Sequence, residues 1–361
     1  MHACCNKSLL TSCIYSKDLT QPARQVYRHN LLAILESAVR ATTVQNDHAL
    51  FRDRVDVLIG QASAPEHTGW DIVSLKYNVL PSELLNVVLT PQSMAQYEQL
   101  SRGILQLHRA VFHVTNLDNT VAALTRRKDK LKLIPEVATL LHRCDLLHRE
   151  IHQWLHHVHY HVMIEVFETA WHSFKNHVTD CHDIDQWRSA HSSYLNEIIS
   201  GALCCHANTM QMSSQDKTLQ QITNTLITTA IQWTRLLGPL HLRALETLNR
   251  RSHARQMRRL QGLATTPRGS TSDSGSNDID SALDVQFNEE IADFTRQVID
   301  TETTWRDNMI KFINQLSHQQ STRPLQQRVD FNGWYQQRGA ASSSSPFRVT
   351  IPASILNKNT N

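Results

Sequence analysis

A long stretch of apolar residues at helical spacing restricts the possible folds of this chain more than any other feature. The stretch runs from Pro135 to about residue 178, and glycine and proline, which interrupt helices, number only ten each among 361 residues. A helix of this length is stable in water when its apolar face packs on other helices. The sequence therefore predicts an all-α fold, a bundle of long helices.

More helices are predicted on both sides of this stretch. Thr90 and Pro91 begin one of them, because threonine accepts hydrogen bonds from free backbone N–H groups and proline has no N–H to leave unpaired. The others cover residues 24–43, 46–53, 183–206, 216–260 and 287–316. We expect this order of segments: a tail (1–22), a helix with a small β element (23–90), a long-helix bundle (91–264), a flexible linker (265–281), a closing helix (282–335) and a tail with a short strand at 347–351 (336–361).

Residues 55–89 follow a different period. Val55, Val57 and Ile59 stand at alternate positions, and Leu75 and Tyr77 do the same after an intervening loop. Alternation of this kind is typical of strands that bury one face. The sequence therefore predicts a small β-hairpin, or a three-stranded patch, near residues 55–89.

Six histidines lie in the segment from His148 to Val162. On a helical wheel they fall on the two flanks of the apolar face, so we expect half-exposed histidines at the border of the core. His152 and His156 have the spacing of two metal ligands on a helix, but no H-E-x-x-H sequence and no recognisable third ligand accompanies them. We therefore predict no bound metal ion, and we expect a lower pH to weaken the packing of this flank.

Several functional classes find no support in the sequence. The seven cysteines form no C-x-x-C pair, and their odd number favours reduced thiols in a cytosolic protein. No apolar run reaches the roughly 18 residues that a membrane helix needs. No P-loop, glycine-rich dinucleotide turn or G-x-S-x-G sequence is present, which predicts a protein that is not an enzyme and uses no cofactor.

A cluster of arginines before the predicted linker leaves nucleic-acid binding as an alternative. Arg250, Arg251, Arg255, Arg258 and Arg259 could neutralise phosphates, but no stacking aromatic residues lie among them and the net charge of the chain is only +3. The alternative function is therefore a helical protein that binds nucleic acid through this cluster, or a metal ion through the histidine-rich helix. The principal prediction includes no nucleic acid and no membrane.

Five segments follow one another in an order and spacing that is specific as a set. They are ILESAVRATTVQND (34–47), HTGWDIVSLKYNV (67–79), LLHRCDLLHREIHQWLHHVHYHVMIEVFETAWHSF (140–174), HSSYLNEIISGALCC (191–205) and LQQRVDFNGWY (325–335). Together they resemble the C-terminal half of the gamma-tubulin complex proteins. The resemblance begins near residue 30, so we expect the chain to lack the family's N-terminal half, which makes lateral contacts between subunits.

The resemblance implies a helical adaptor that binds gamma-tubulin, with sister subunits of the same family as further partners. It implies a role in microtubule nucleation at spindle poles and other microtubule-organising centres of the cytoplasm, without reaction chemistry in the subunit itself. In the family, tubulin surfaces are acidic, so exposed arginines are the candidate contacts. These candidates are Arg102, Arg109, Arg250, Arg251, Arg255, Arg258 and Arg259.

Other residues of the matching segments are expected to be structural. They are Trp70, Asp71, Leu75, Tyr77, Tyr160, Trp171, Asp330, Phe331, Asn332 and Tyr335. We expect Trp70 to anchor the hairpin by burial, and Phe331 and Tyr335 to fill the core. Asp330 and Asn332 are expected to fix a turn, because their short polar side chains bond to nearby backbone groups.

Overall fold

The computed structural model describes most of the chain. The described residues are 27–40, 46, 54–60, 69–79, 85–125, 135–203, 214–264, 274–318, 322–335 and 337. Three of the predictions fall wholly or mostly outside these residues, namely the tail at 1–22, the helix at 46–53 and the strand at 347–351.

Helices account for most of the described residues. The helices are α1 (Arg28–Arg40), α2 (Gly69–Ile72), α3 (Leu85–Val88), α4 (Pro91–Thr125), α5 (Pro135–Tyr160), α6 (Thr169–Thr179), α7 (Ile184–Gly201), α8 (Ser214–Ala264), α9 (Ser274–Leu316) and α10 (Arg323–Val329), and the strands are β1 (Val55–Ile59) and β2 (Val73–Tyr77). The predicted class, all-α with a small β element, is confirmed. None of the described helices is both long and apolar enough to cross a bilayer.

The β element is an antiparallel hairpin with a core of its own. β1 and β2 pair in a register that places Val55 opposite Tyr77, and the sheet of the described residues has these two strands, which selects the hairpin over the three-stranded alternative. Trp70 of α2 is buried under the hairpin. The face of α1 that packs in the same cluster consists of Leu31, Leu35, Ala38 and Val39.

Helix α4 begins as the sequence predicts and is attached to the hairpin. The backbone N–H of Ser93 donates to Oγ1 of Thr90 at 3.2 Å, so the threonine caps a free donor of the first turn. About two turns further along, Oγ of Ser101 accepts from the backbone N–H of Leu75 at 3.2 Å. The Ser101 hydroxyl therefore gives the Leu75 N–H of β2 an acceptor outside the sheet.

The long helical stretch that begins at Pro135 is confirmed, but it is not α-helical throughout. A π-helical segment, His161–Glu168, joins α5 to α6. Beside it, α7 ends at Gly201, where a Cβ atom would lie 2.7 Å from a methyl group of Val166. Glycine is therefore required at this position, because any side chain would collide with the π-helical segment.

The predicted linker ends earlier than its composition suggests. Helix α9 begins at Ser274, inside the range 265–281, and residues 265–273 lie outside the described part. Serine and aspartate, which dominate this range, are also the residues that favour helix starts. A polar composition therefore does not separate a linker from the first turns of a helix.

The described residues form two compact units, each drawn from separate stretches of the chain. The first comprises residues within Met1–Phe112, Trp154–Ile227 and Gln315–Val329, and the second comprises residues within His113–Gln153, Thr228–Asn314 and Asp330–Asn361. The first unit contains the hairpin and its core. The second buries large side chains of the long helices, including Leu147, Ile151, Trp233, Trp305 and Phe312.

Replacement of Trp70 by alanine should destabilise the first unit strongly. The side chain is 5% exposed, and loss of a buried tryptophan typically costs about 3–5 kcal/mol. Urea denaturation of the wild type and the variant measures the difference. Leu32→Ala is the control, since Leu32 lies on the exposed face of α1 and its loss should change stability by about 0.5 kcal/mol or less. Equal effects of the two changes would contradict the anchoring role.

Candidate partner-binding surface

The segment from Asp330 to Tyr335 forms a tight turn after α10. The backbone N–H of Gly333 donates to the carbonyl of Asp330 at 3.1 Å, and the N–H of Tyr335 donates to Oδ1 of Asp330 at 3.2 Å. Gly333 has a φ of +62°, a left-handed conformation that side chains disfavour. Asp330 thus fixes the turn at both ends, while Asn332 in its middle is exposed.

Tyr335 attaches this turn to helix α5. Its ring is 7% exposed, and its hydroxyl donates to the carboxylate of Glu150. Burial raises the pKa of the Glu150 carboxyl above its usual range, and burial likewise raises the pKa of the Tyr335 hydroxyl. A partly buried carboxylate is stabilised by such a donor, so the pair holds the turn against α5.

Phe331 does not fill the core, and this prediction is wrong. Its side chain is 86% exposed. The reason is geometric: Asp330 and Tyr335 face the protein and are both held by hydrogen bonds, so the residues between them lie on the outer side of the turn. An exposed phenylalanine forgoes roughly 1.5–3 kcal/mol of burial, so its position on a fixed turn favours a role in binding.

Trp334 lies on the same turn as Phe331, and Arg306 lies on α9. The Trp334 ring is partly exposed, and the guanidinium of Arg306 lies 5.7 Å from its centroid. The guanidinium also pairs with Glu302 at 2.5 Å, and Glu302 in turn accepts from Arg143 of α5. We name Phe331, Trp334 and Arg306 the aromatic turn patch. Its arginine is oriented by a buried carboxylate.

Of the two predicted arginine contacts on α4, one is partly exposed and the other is buried. Arg102 is about one-third exposed and pairs with Glu98 at 3.2 Å. Arg109 is 4% exposed, and its guanidinium lies 5.0 Å from the ring of Trp70. The expectation that Arg109 is exposed is therefore wrong, because a long apolar stem and a planar cation suit the space against the buried indole.

The second set of predicted arginines lies near the C-terminal end of α8. Arg250 is exposed. The backbone of the other four is helical, and their side chains lie outside the described residues; they are Arg251, Arg255, Arg258 and Arg259. Their role as contacts stays a prediction.

The remaining family-motif residues divide between core and surface. Trp70 is buried, Leu75 packs partly buried against the hairpin core, and Tyr77 pairs with Val55 in the sheet. The side chain of Asp71 lies outside the described residues. Tyr160 and Trp171 are both about half exposed. The guanidinium of Arg328 lies 5.1 Å from the Tyr160 ring, and Trp171 contacts Phe174 and Tyr194.

The histidine-rich helix contains buried histidines, contrary to the expectation of a half-exposed border. His148 is 1% exposed and lies 2.6 Å from Oδ1 of Asp118, and His152 lies 3.1 Å from the other oxygen of the same carboxylate. His161 is also buried and lies 2.7 Å from Glu165. A carboxylate partner offsets the free-energy cost of burying a histidine ring. A helical wheel of one helix does not show such partners, because they can lie on other helices.

The described histidines do not form a metal centre. No group of three or more potential ligands with suitable geometry occurs among the residues that the structure describes. The carboxylates near these histidines instead bridge neighbouring helices or turns. Their observed arrangement is that of structural pairs.

Comparison of the whole sequence with models of known families identifies the family of this chain. A model of the gamma tubulin complex component C-terminal region matches residues 7–335. The chain belongs to the gamma-tubulin complex component family. The match begins well before residue 30, so the family region extends further toward the N-terminus than the motifs indicated.

Similar members of the gamma-tubulin complex component family come from distant organisms. The gamma-tubulin complex component 3 homolog of Xenopus laevis is 28% identical over 323 residues, which are 89% of this chain and 34% of that protein. Gamma-tubulin complex component 3 of Homo sapiens is 30% identical over 234 residues, 65% of this chain and 24% of the relative. Spindle pole body component 98 of Dictyostelium discoideum is 25% identical over 186 residues. The chain spans about a third or less of the length of these relatives.

Reasoning from the sequence missed two members of the aromatic turn patch in this family member. Trp334 lies inside the segment that carries the resemblance, three positions after Phe331, so a second large aromatic residue in this turn was a usable signal. Arg306 carries no such signal, because its place beside Trp334 depends on the fold.

Removal of the Tyr335 hydroxyl should destabilise the second unit of this family member. Tyr335→Phe removes one hydrogen-bond donor from the partly buried Glu150 carboxylate, at a cost of about 1–3 kcal/mol. Chemical denaturation measures this cost. Tyr160→Phe is the matched control, because the Tyr160 ring is about half exposed and its loss of a hydroxyl should change little. A stability of Tyr335→Phe equal to that of the control would show that the pair does not hold the turn.

The thermal stability of the chain should fall as the pH falls through the range of histidine titration. Burial lowers the pKa of His148, His161 and His241 below the ordinary value. The folded state then holds these rings neutral while the unfolded state binds protons below about pH 6.5, so their contribution is complete above that pH and is lost below it. Calorimetry between about pH 7.5 and about pH 6 should show a decreasing Tm.

Two variants isolate the histidine contribution to this pH dependence. His148→Gln should show a shallower dependence, since glutamine does not titrate. The raised pKa of Glu150 acts in the opposite direction, because the folded state binds that proton more readily. Glu150→Gln should therefore remove a contribution that favours the folded state as the pH falls. A Tm that stays constant over this range in the wild type would contradict the prediction.

Proposed function

We propose that this chain is a gamma-tubulin-binding subunit of the gamma-tubulin complex that acts in microtubule nucleation. Membership of the family supports this proposal, as do the names of its relatives, which are gamma-tubulin complex and spindle pole body components. Spindle poles and other microtubule-organising centres are the corresponding location. Sister subunits of the family are the further partners that this role requires.

The aromatic turn patch is the observation that carries the proposal in the structure. Tryptophan and arginine are enriched at the centres of protein interfaces, where a few residues supply most of the binding energy. Phe331 is 86% exposed, and the same turn carries the partly exposed Trp334, whose ring lies 5.7 Å from the Arg306 guanidinium. An apolar anchor with an adjacent cation suits a partner surface that has an apolar socket and a carboxylate at its rim.

The rigidity of the turn strengthens this interpretation. Asp330, directly before Phe331, accepts from the backbone N–H groups of Gly333 and Tyr335 after it, and Tyr335 is attached to α5 through Glu150. Binding by a preorganised element avoids the entropic cost of ordering a mobile loop. Phe331 is therefore presented in a fixed direction, as a binding anchor should be.

An adaptor role fits the observed pairing of polar groups better than a catalytic role. The described carboxylates of Asp118, Glu150, Glu165 and Glu302 each contact a histidine, tyrosine or arginine of the same unit. These contacts brace helices and turns against one another. The chain therefore contributes a scaffold surface, and nucleotide chemistry belongs to its partner in this proposal.

Substitution of Phe331 tests the proposal directly. Co-purification of the tagged full chain with gamma-tubulin, followed by a titration, should show binding by the wild type and a loss of about tenfold or more for Phe331→Ala. Leu242→Ala is the matched control, because Leu242 is also an exposed apolar side chain of the second unit and its loss should not affect binding.

Two outcomes would overturn parts of this proposal. Absence of binding by the well-folded wild type would remove gamma-tubulin as a partner. Equal binding by Phe331→Ala and the wild type would move the contact away from the aromatic turn patch. Charge reversal at Arg255, Arg258 and Arg259 together then tests the arginine cluster, for which we expect weaker binding with an unchanged helical circular dichroism spectrum.

A further inference from the structure

Opposite charges are concentrated toward the end of α8 and the beginning of α9. Residues 250–259 of α8 contain five arginines and no acidic residue. Residues 278–290 of α9 contain five acidic residues and no lysine or arginine. Both ranges belong to the second unit. Whether these charges meet depends on the directions in which the two helix ends extend.

One contact between the two helices determines these directions. Nε of Arg243 on α8 lies 3.7 Å from a carboxylate oxygen of Glu290 on α9. From this contact, α8 continues for about 31 Å to Ala264, and α9 begins about 24 Å away at Ser274. If the two helix ends pointed in opposite directions, about 55 Å would separate Ala264 from Ser274, whereas the chain between them reaches at most about 36 Å. Both ends therefore extend from the contact toward the same side.

The buried face of α8 continues into the arginines. Ala244 and Leu248 are both buried in the second unit. Arg251 and Arg255 occupy the positions seven residues further along, which are two turns later on the same face, and Arg258 follows seven residues after Arg251. The face of α8 that is apolar in the core is therefore basic beyond it.

The buried face of α9 becomes acidic in the same way. Val298 and Glu302 are both buried in the second unit. Asp280 and Asp284 lie 18 residues before them, a distance of five complete helical turns, so they occupy the same face. The buried faces of α8 and α9 thus continue, toward the same side, as two faces of opposite charge.

We propose that Arg251 and Arg255 form an internal ionic clasp with Asp280 and Asp284, and that this clasp covers the arginine cluster against acidic partners. The register supports this pairing. Counted from the contact between the two helices, Arg251 is level with residue 282, midway between the two aspartates, and Arg255 is level with residue 278. The planar guanidinium of arginine suits carboxylates in particular, because it binds them through two parallel hydrogen bonds.

A clasp of this kind can be displaced. Single ion pairs near a protein surface are weak, because water and salt screen them, so a few pairs hold two helix ends together without locking them. An acidic partner offers the arginines the same chemical group as Asp280 and Asp284. A partner that binds through the arginine cluster therefore has to compete with the beginning of α9, and the clasp sets a threshold for such binding.

A soluble polyanion measures whether the arginine cluster is covered in the intact chain. Poly-L-glutamate should bind Asp280→Asn/Asp284→Asn several-fold more tightly than the wild type, because the arginines lose their internal partners. Asp300→Asn/Asp307→Asn is the matched control, since it removes two charges from exposed positions of the same helix and should leave the affinity nearly unchanged. Equal increases in the two variants, or no increase in either, would overturn the proposal.

A charge exchange separates a specific contact from a general effect of charge on the helix ends. Arg251→Asp/Arg255→Asp should raise amide hydrogen exchange in residues 274–290 several-fold, because like charges then repel. Adding Asp280→Arg/Asp284→Arg to this variant restores opposite charges and should restore the wild-type exchange rates. No increase in the first variant, or fast exchange that persists in the second, would contradict the clasp. None of these outcomes bears on gamma-tubulin binding through Phe331.

Discussion

The position of the C-terminal turn depends on two carboxylates of the second unit, the buried Glu302 and the partly buried Glu150. Glu302 of α9 pairs with Arg143 of α5 and with Arg306 of its own helix, and Glu150 of α5 accepts from the Tyr335 hydroxyl. A carboxylate in the interior is costly unless its oxygens are paired. These contacts therefore fix Arg306 and Tyr335 relative to α5. Their positions determine where the aromatic side chains of the turn are exposed.

The described buried histidines of the histidine-rich helix have structural contacts, although the sequence predicted half-exposed rings there. Six histidines in one short segment are typical of a ligand cluster, yet His148 and His161 each contact a carboxylate and lie among apolar neighbours. The contacts join one helix to another or one turn to the next. Their titration is coupled to stability because burial, and not reactivity, determines their protonation.

Local signals in the sequence predicted the hairpin and most of the described helices, but not the π-helical segment, the start of α9 or the contacts between distant residues. Alternation identified the hairpin, and Thr90 with Pro91 identified the start of α4. The exposure of Phe331 follows from the contact between Glu150 and Tyr335, which are 185 positions apart. The burial of Arg109 follows from its contact with Trp70. Residue type alone favours the opposite outcome in both cases, because phenylalanine is usually buried and arginine usually exposed.

The π-helical segment sets the rotation of α6 about its own axis, and so the direction of the α6 side chains. An α-helix turns by about 100° per residue, so a chain that lost one residue within His161–Glu168 and became α-helical there would rotate α6 by about that angle. Trp171 and Phe174 would then no longer meet Tyr194 on α7. Insertions and deletions are thus far more restricted in this segment than substitutions at its exposed positions, and its length sets the angular phase of α6 relative to α7.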